Sequence, residues 1–199
     1  MEKQATTRFP IHDVISRRWS PRAFADESIS VESLGSLMEA ARWSASCFNE
    51  QPWRFIVARR EDAEAFSTLA NCLVPFNRGW AEKASLLVLC VAAKTFARNG
   101  KANAHGEYDL GLAVGGLSAQ ATAMGLAVHQ MAGFDPEKAR ETYAIPEDFT
   151  PKAMMAIGYP GNPEELDEGL KEQETAPRDR KPLEEVVFRG SWGEAHSWG

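Results

Sequence analysis

The residues that could do chemistry fall into three short stretches. The first is Ser16-Arg17-Arg18-Trp19-Ser20-Pro21-Arg22-Ala23-Phe24, where three guanidinium groups and two hydroxyls crowd together. Arginine presents a planar fork of donors that matches phosphate oxygens, so such a group can hold a small anion. A solvated basic turn has the same composition. Near the other end stand Arg178 and Arg180. The third stretch is Ser44-Ala45-Ser46-Cys47-Phe48-Asn49-Glu50-Gln51-Pro52, polar and small, followed by Trp53. Its hydroxyl and amide groups can bond the edges of a heteroaromatic ring. It reads equally well as a capped loop between a helix and a strand.

Other reactive types are scattered. His12, His105, His129 and His196 lack the spacing of metal ligands. His129 precedes Gly133 closely enough to face a site there, or to be an ordinary strand histidine. Gly111, Gly115 and Gly116 superficially suggest a phosphate loop, but they lie inside an apolar helical run, where helix packing explains them better. There is no Gly-x-Ser-x-Gly elbow and no Ser/His/Asp constellation.

The elements that must position these residues are mixed. His12–Arg17 predicts a short helix broken by Pro21. Ser30 caps a second helix whose Val31, Leu34, Leu37, Met38 and Ala41 recur at helical spacing. Trp53–Ala58 reads as a strand, Glu61–Leu73 as a helix, and Leu86–Val91 as a strand buried on both faces. Phe96–Gly106 reads as a loop. Glu107–Gly125 is a long helix, apolar or small almost all round, which must be buried in the core or at a subunit interface. Leu126–Met131 and Lys152–Gly158 are further strands, and Pro182–Phe188 is a short strand candidate. Gly190–Gly199 reads as a loose tail or an arm on another surface. The expectation is an α+β fold in three layers, a mixed central sheet flanked by helices, as one domain over residues 1–199.

Composition narrows the partners. The net charge of −6 argues against nucleic acid, whose binders concentrate positive charge. The three cysteines, Cys47, Cys72 and Cys90, are odd in number and form no CxxC pair, which points to reduced thiols. Ser85–Ala93, the longest strongly apolar run, is far shorter than the ~20 residues that span a bilayer. The N-terminus lacks the apolar segment of a signal peptide, so the expectation is a cytoplasmic protein without a membrane partner.

Taken together, four motifs carry a resemblance. Arg18-Trp19-Ser20-Pro21-Arg22-Ala23-Phe24, the Ser-x-x-Asn-x-Gln-Pro-Trp loop from Ser46 to Trp53, Gly133-Phe134-Asp135, and Pro177-Arg178-Asp179-Arg180-Lys181-Pro182-Leu183 stand in matching order. The chain resembles the FMN-dependent nitroreductase family over nearly its whole length. That resemblance implies a homodimer with FMN at the subunit interface. It assigns Arg18 and Ser20, with Trp19 between them, to the ribityl phosphate, joined by Arg180 and by Arg178. It puts Arg22 near flavin N1 and O2, and the amides of Ala132 and Gly133 near N5. Ser46, Cys47 and Asn49 would border the ring from the second subunit. Asn77 is the candidate for a mid-chain flavin contact. Ala45, Trp19, Cys47 and Ala132 depart from the usual family residues. The implied activity moves electrons from NADH or NADPH through FMN to nitroaromatics, quinones or similar small acceptors by a ping-pong cycle. Dehalogenation or enone reduction on the same scaffold, and flavin binding with little turnover, are the alternatives.

Overall fold

The computed structural model describes residues 3–198. Its helices are α1 (Asp13–Arg17), α2 (Val31–Arg42), α3 (Ala63–Ala70), α4 (Pro75–Ala81), α5 (Gly106–Ala123), α6 (Pro136–Tyr143) and α7 (Glu168–Thr175). Its strands are β1 (Trp53–Arg59), β2 (Leu86–Ala93), β3 (Ala127–Met131) and β4 (Phe149–Gly158). Among the described residues no helix is long and apolar enough to cross a membrane.

The strands form one sheet in the order β1-β2-β4-β3. The sequence predicts a mixed sheet, but all three pairings are antiparallel. The reason lies in the connections. Two helices, α3 and α4, separate β1 from β2, so the chain re-enters the sheet reversed. β2 and β3 flank the same strand, β4, and therefore run in the same direction with α5 as their crossover. β4 inserts between them and leaves no adjacent parallel pair.

β2 is buried along nearly its whole length, as its unbroken apolar run requires. Its alternate side chains feed two cores. Leu87, Leu89 and Val91 pack with Phe66, Leu69, Trp80 and Ala139 from α3, α4 and α6. Leu86, Val88 and Cys90 pack with Leu37, Ala41, Ala113 and Leu117 from α2 and α5. These are the three layers expected.

α2 and α5 approach closely because Gly116 has no side chain. A Cβ there would lie 2.9 Å from the Ala40 carbonyl oxygen and 3.0 Å from Ser44 Oγ. Yet α5 is not buried all round. Tyr108 is 69% and Leu112 40% exposed, and Gly111 and Gly115 beside them are exposed too.

The C-terminal residues depart most from expectation. Pro182–Phe188 is not a strand. Leu183–Glu185 forms a 3-10 turn, and Phe188 makes a single bridge to Ala195. The tail folds back on its own chain, with Trp198 against Phe9 at 5.2 Å between ring centroids.

Candidate functional site

The segment after α1 carries the first arginines. The Arg18 N–H donates to the Val14 carbonyl and closes the helix, after which the backbone turns extended. Arg18 Nη1 reaches Ser20 Oγ at 3.4 Å. Arg178 and Arg180 arrive beside it from the far end of the chain. Burial, and then the neighbouring Arg178 and Arg180 charges, hold the Arg18 guanidinium below the ordinary arginine range. Burial and Arg180 act on Arg178 in the same direction. Like charges gathered this closely form a site that an anion would relieve. A cavity of about 190 Å³ opens there, lined by Lys3, Arg17, Arg18, Trp19, Thr122 and Leu126 among others.

Arg178 is turned mainly to the backbone. Its Nη1 donates to the carbonyls of Lys3 and Ser16, and its Nη2 to that of Arg18 at 2.8 Å. Its role beside Arg18 is therefore to organise the segment as well as to add charge. Arg180 is exposed, and its Nη1 donates to the Asp179 carbonyl at 2.6 Å.

Arg22 sits one step deeper. Its guanidinium lies over the Trp80 ring at 5.9 Å, and its Nε is buried without a hydrogen-bond partner. Trp80 also meets the His129 ring at 4.5 Å. His129 Nδ1 lies 2.9 Å from the Pro21 carbonyl oxygen. A carbonyl only accepts, so Nδ1 carries the proton. Phe24 anchors the end of the segment, stacked on Trp80 at 6.5 Å. Gly158 and Gly161 admit it: a Cβ at Gly158 would come within 2.8 Å of Phe24 Cδ1.

α4 links this cluster to the turn after β3. Asn77 stands one turn before Trp80 on the same helical face. Its Nδ2 donates to the Gly133 carbonyl at 3.0 Å, and the Val74 N–H donates there too at 3.1 Å. A Cβ at position 133 would lie 2.5 Å from Asn77 Nδ2, so any larger residue there would push Asn77 out of this bond. Ala132, beside it, is exposed.

The third stretch stands elsewhere. The Cys47 N–H donates to Asp109 Oδ2 at 3.0 Å, in the first turn of α5. Ser46 Oγ accepts from the Gln51 N–H at 3.0 Å. Phe48, Asn49 and Gln51 all adopt positive φ, near 53°, 58° and 52°. That conformation is uncommon outside glycine and is strained for a bulky residue such as phenylalanine. The arginine group lies instead at the other end of α5, where Thr122 and Gly125 line its cavity. Asp109 and Thr122 are thirteen residues apart on α5, about 20 Å at ~1.5 Å per residue.

The chain thus joins Arg18, Trp19, Ser20, Arg178 and Arg180, and joins Arg22 to Asn77 and Gly133 through α4. It does not bring Ser46, Cys47 or Asn49 to them. Two contributors escaped the sequence reading. Glu174 is a buried carboxylate bound to the backbone of Arg22 and Ala23. Trp80 is the ring shared by Arg22, Phe24 and His129.

Comparison with known proteins places this geometry in context. The family model described as the nitroreductase family matches residues 15–159. An uncharacterized 15.4 kDa protein of Mycolicibacterium smegmatis is 37% identical over 147 residues, covering 70% of this chain and 97% of the relative. The major NAD(P)H-flavin oxidoreductase of Aliivibrio fischeri is 25% identical, covering 89% of this chain and 96% of its own. Among solved structures, one described as an oxidoreductase containing FMN superposes with a TM-score of 0.89 at 32% identity, over 95% of this chain and 96% of the other.

Proposed function

The chain belongs to the nitroreductase family, and from that membership we propose how its own residues serve the reaction. It is an NAD(P)H-dependent oxidoreductase with FMN as its cofactor. The observation that carries the site assignment is the convergence of Arg178 and Arg180, from the far end of the chain, on Arg18, which lines a cavity with Arg17 and Lys3.

The residues fit the cofactor. The mutually repelling guanidinium groups suit a phosphate monoester, which carries close to two negative charges at neutral pH. The unpartnered Nε of Arg22 is a donor without an acceptor. Such a donor suits a polar ring edge. Bound FMN supplies a ring that takes hydride from a nicotinamide and returns electrons to an acceptor.

The protein's share is orientation and electrostatics. Arg18 and Ser20, with Trp19 flanking and Arg180 completing the group, hold the phosphate. Arg178 fixes the carbonyls of Ser16 and Arg18 behind them. Arg22 aims a cation at the N1–O2 edge. Gly133, held by Asn77, and Ala132 present backbone amides towards N5. Ser46, Cys47 and Asn49 close the site from a second copy of the chain, and their strained loop suits a surface preset for a ligand. NADH or NADPH and the acceptor would use this one site in turn, a ping-pong cycle. The acceptors are small electron-poor molecules such as nitroaromatics and quinones. All three cysteines are free, in keeping with the cytoplasm.

The test is the visible spectrum of the purified protein before and after anaerobic NADPH, then NADH. A flavin spectrum that bleaches with either donor is expected. A spectrum that stays yellow with both would leave a flavin binder rather than this enzyme. Absence of flavin even after incubation with FMN would overturn the cofactor assignment.

A further inference from the structure

Glu174 is a buried acidic side chain on the arginine-bearing segment that the mechanism leaves unused. It is 2% exposed, on the polar helix α7. Burying a carboxylate is costly unless hydrogen bonds hold its charge. Here the Arg22 N–H donates to both oxygens, at 2.9 and 3.0 Å, and the Ala23 N–H donates to one at 3.1 Å. No ion pair to Glu174 occurs among the described residues, so peptide groups rather than a side-chain cation hold the charge. Two other side chains grip the same segment. Arg178 takes the carbonyls of Ser16 and Arg18, and His129 takes that of Pro21.

Resting on the functional reading above, we propose that Glu174 is the positioning residue of the cofactor-binding segment. Its carboxylate fixes the backbone at Arg22 and Ala23. Through that backbone it sets where Arg18, Ser20 and Arg22 present their side chains to FMN. Glu174 touches neither cofactor nor substrate in this role. It acts by reach: a carboxyl-sized acceptor must extend from α7 to two successive amides. The segment is preorganised, so the cofactor does not have to order it on binding.

The experiment compares wild type with Glu174→Gln, Glu174→Asp and Glu174→Ala. Hydrogen exchange is followed at the Arg22 and Ala23 amides without added flavin, and FMN affinity is measured by quenching of flavin fluorescence. Glutamine keeps the reach and one acceptor oxygen but loses the charge. Aspartate keeps the charge but is one methylene short. Positioning predicts that Gln stays nearest to wild type in both readouts. Asp should exchange faster and bind FMN about tenfold more weakly, and Ala should be worse still, since it removes the acceptor and leaves the two amides unsatisfied. If Ala does not fold, the Gln and Asp pair decides. Asp matching wild type while Gln loses affinity would overturn the proposal in favour of a charge effect. Wild-type exchange and affinity in all variants would overturn it outright. If wild type takes up no FMN, the functional reading falls, and exchange at the two amides still tests the clamp by itself.

Discussion

At the scale of single residues, the site is held by groups that serve the backbone rather than the ligand. His129 shows what this costs. Its imidazole donates to Pro21 and packs on Trp80. Burial pushes its pKa down, the hydrogen bond to Pro21 opposes that, and the Arg22 charge pushes it down further. The folded chain therefore binds this proton less readily than the unfolded chain, which takes it up near pH ~6.5. Stability linked to His129 is full above that value and is lost as pH falls through it towards the folded pKa. Replacing His129 with Asn keeps a donor near the Nδ1 position and removes the titration. Melting temperature should then fall less steeply from about pH 7.5 to about pH 5 in His129→Asn than in wild type. Parallel curves would show that this imidazole does not take part in the linkage.

At the scale of elements, the contact between α2 and α5 sets the frame on which the third stretch rests. It depends on Gly116, because the atom nearest a Cβ there is a backbone oxygen, which cannot swing away. Gly116→Val should cost about 1–3 kcal/mol by overpacking. Thermal unfolding should show it as a loss of several degrees, at about 2–4 °C per kcal/mol for a chain of this size. An unchanged melting temperature would mean that α2 yields. This glycine was legible as a close-approach site because it interrupts an apolar helix. β2 was legible for a similar reason, since an unbroken apolar run has one comfortable home, a strand covered on both faces. α7 was not legible. Its sequence, EGLKEQET, has no apolar stripe, and its one fully buried residue is a glutamate. Hydrophobic periodicity cannot flag a helix whose buried contact is polar. α4 was hidden by its proline and its glycine, and α6 by its polar composition, although Asp135 caps α6 and Pro136 occupies its first turn. The antiparallel pairing was not legible either, because strand direction depends on how each connection returns the chain: α5 alone keeps β3 running with β2, whereas α6 alone leaves β4 antiparallel to β3. That Arg18, Ser20 and Arg180 stand together was legible from the motifs. The backbone-facing role of Arg178 and the clamp at Glu174 depend on contacts across more than 150 residues, which local pattern does not encode.

At the scale of the whole molecule, the two halves of the proposed flavin site lie at opposite ends of α5. Asp109 holds Cys47 in its first turn, and Thr122 lines the cavity beside Arg18 near its last. A single protomer cannot close that separation of about 20 Å along a rigid helix. A two-fold axis across the exposed face of α5 would close it, because antiparallel α5 helices set the start of one beside the end of the other. That face carries Tyr108 and Leu112, with Gly111 and Gly115 allowing close approach: a Cβ at either glycine would meet nothing within 4 Å of its own chain. The arrangement makes a prediction that a self-contained protomer would not. Arg18→Ala damages the phosphate end, and a combined Ser46→Ala and Asn49→Ala change damages the ring border. Each homodimer then carries two impaired sites. Exchanging subunits between them yields heterodimers in which one site holds both lesions and the other holds none. Random reassortment makes about half of all dimers mixed, so about a quarter of all sites become intact. FMN-dependent NAD(P)H oxidation should rise on mixing towards that quarter of wild type. If the mixture never exceeds the mean of its two parents while subunits exchange, the two residue groups act within one chain, and the third stretch belongs to α5 alone.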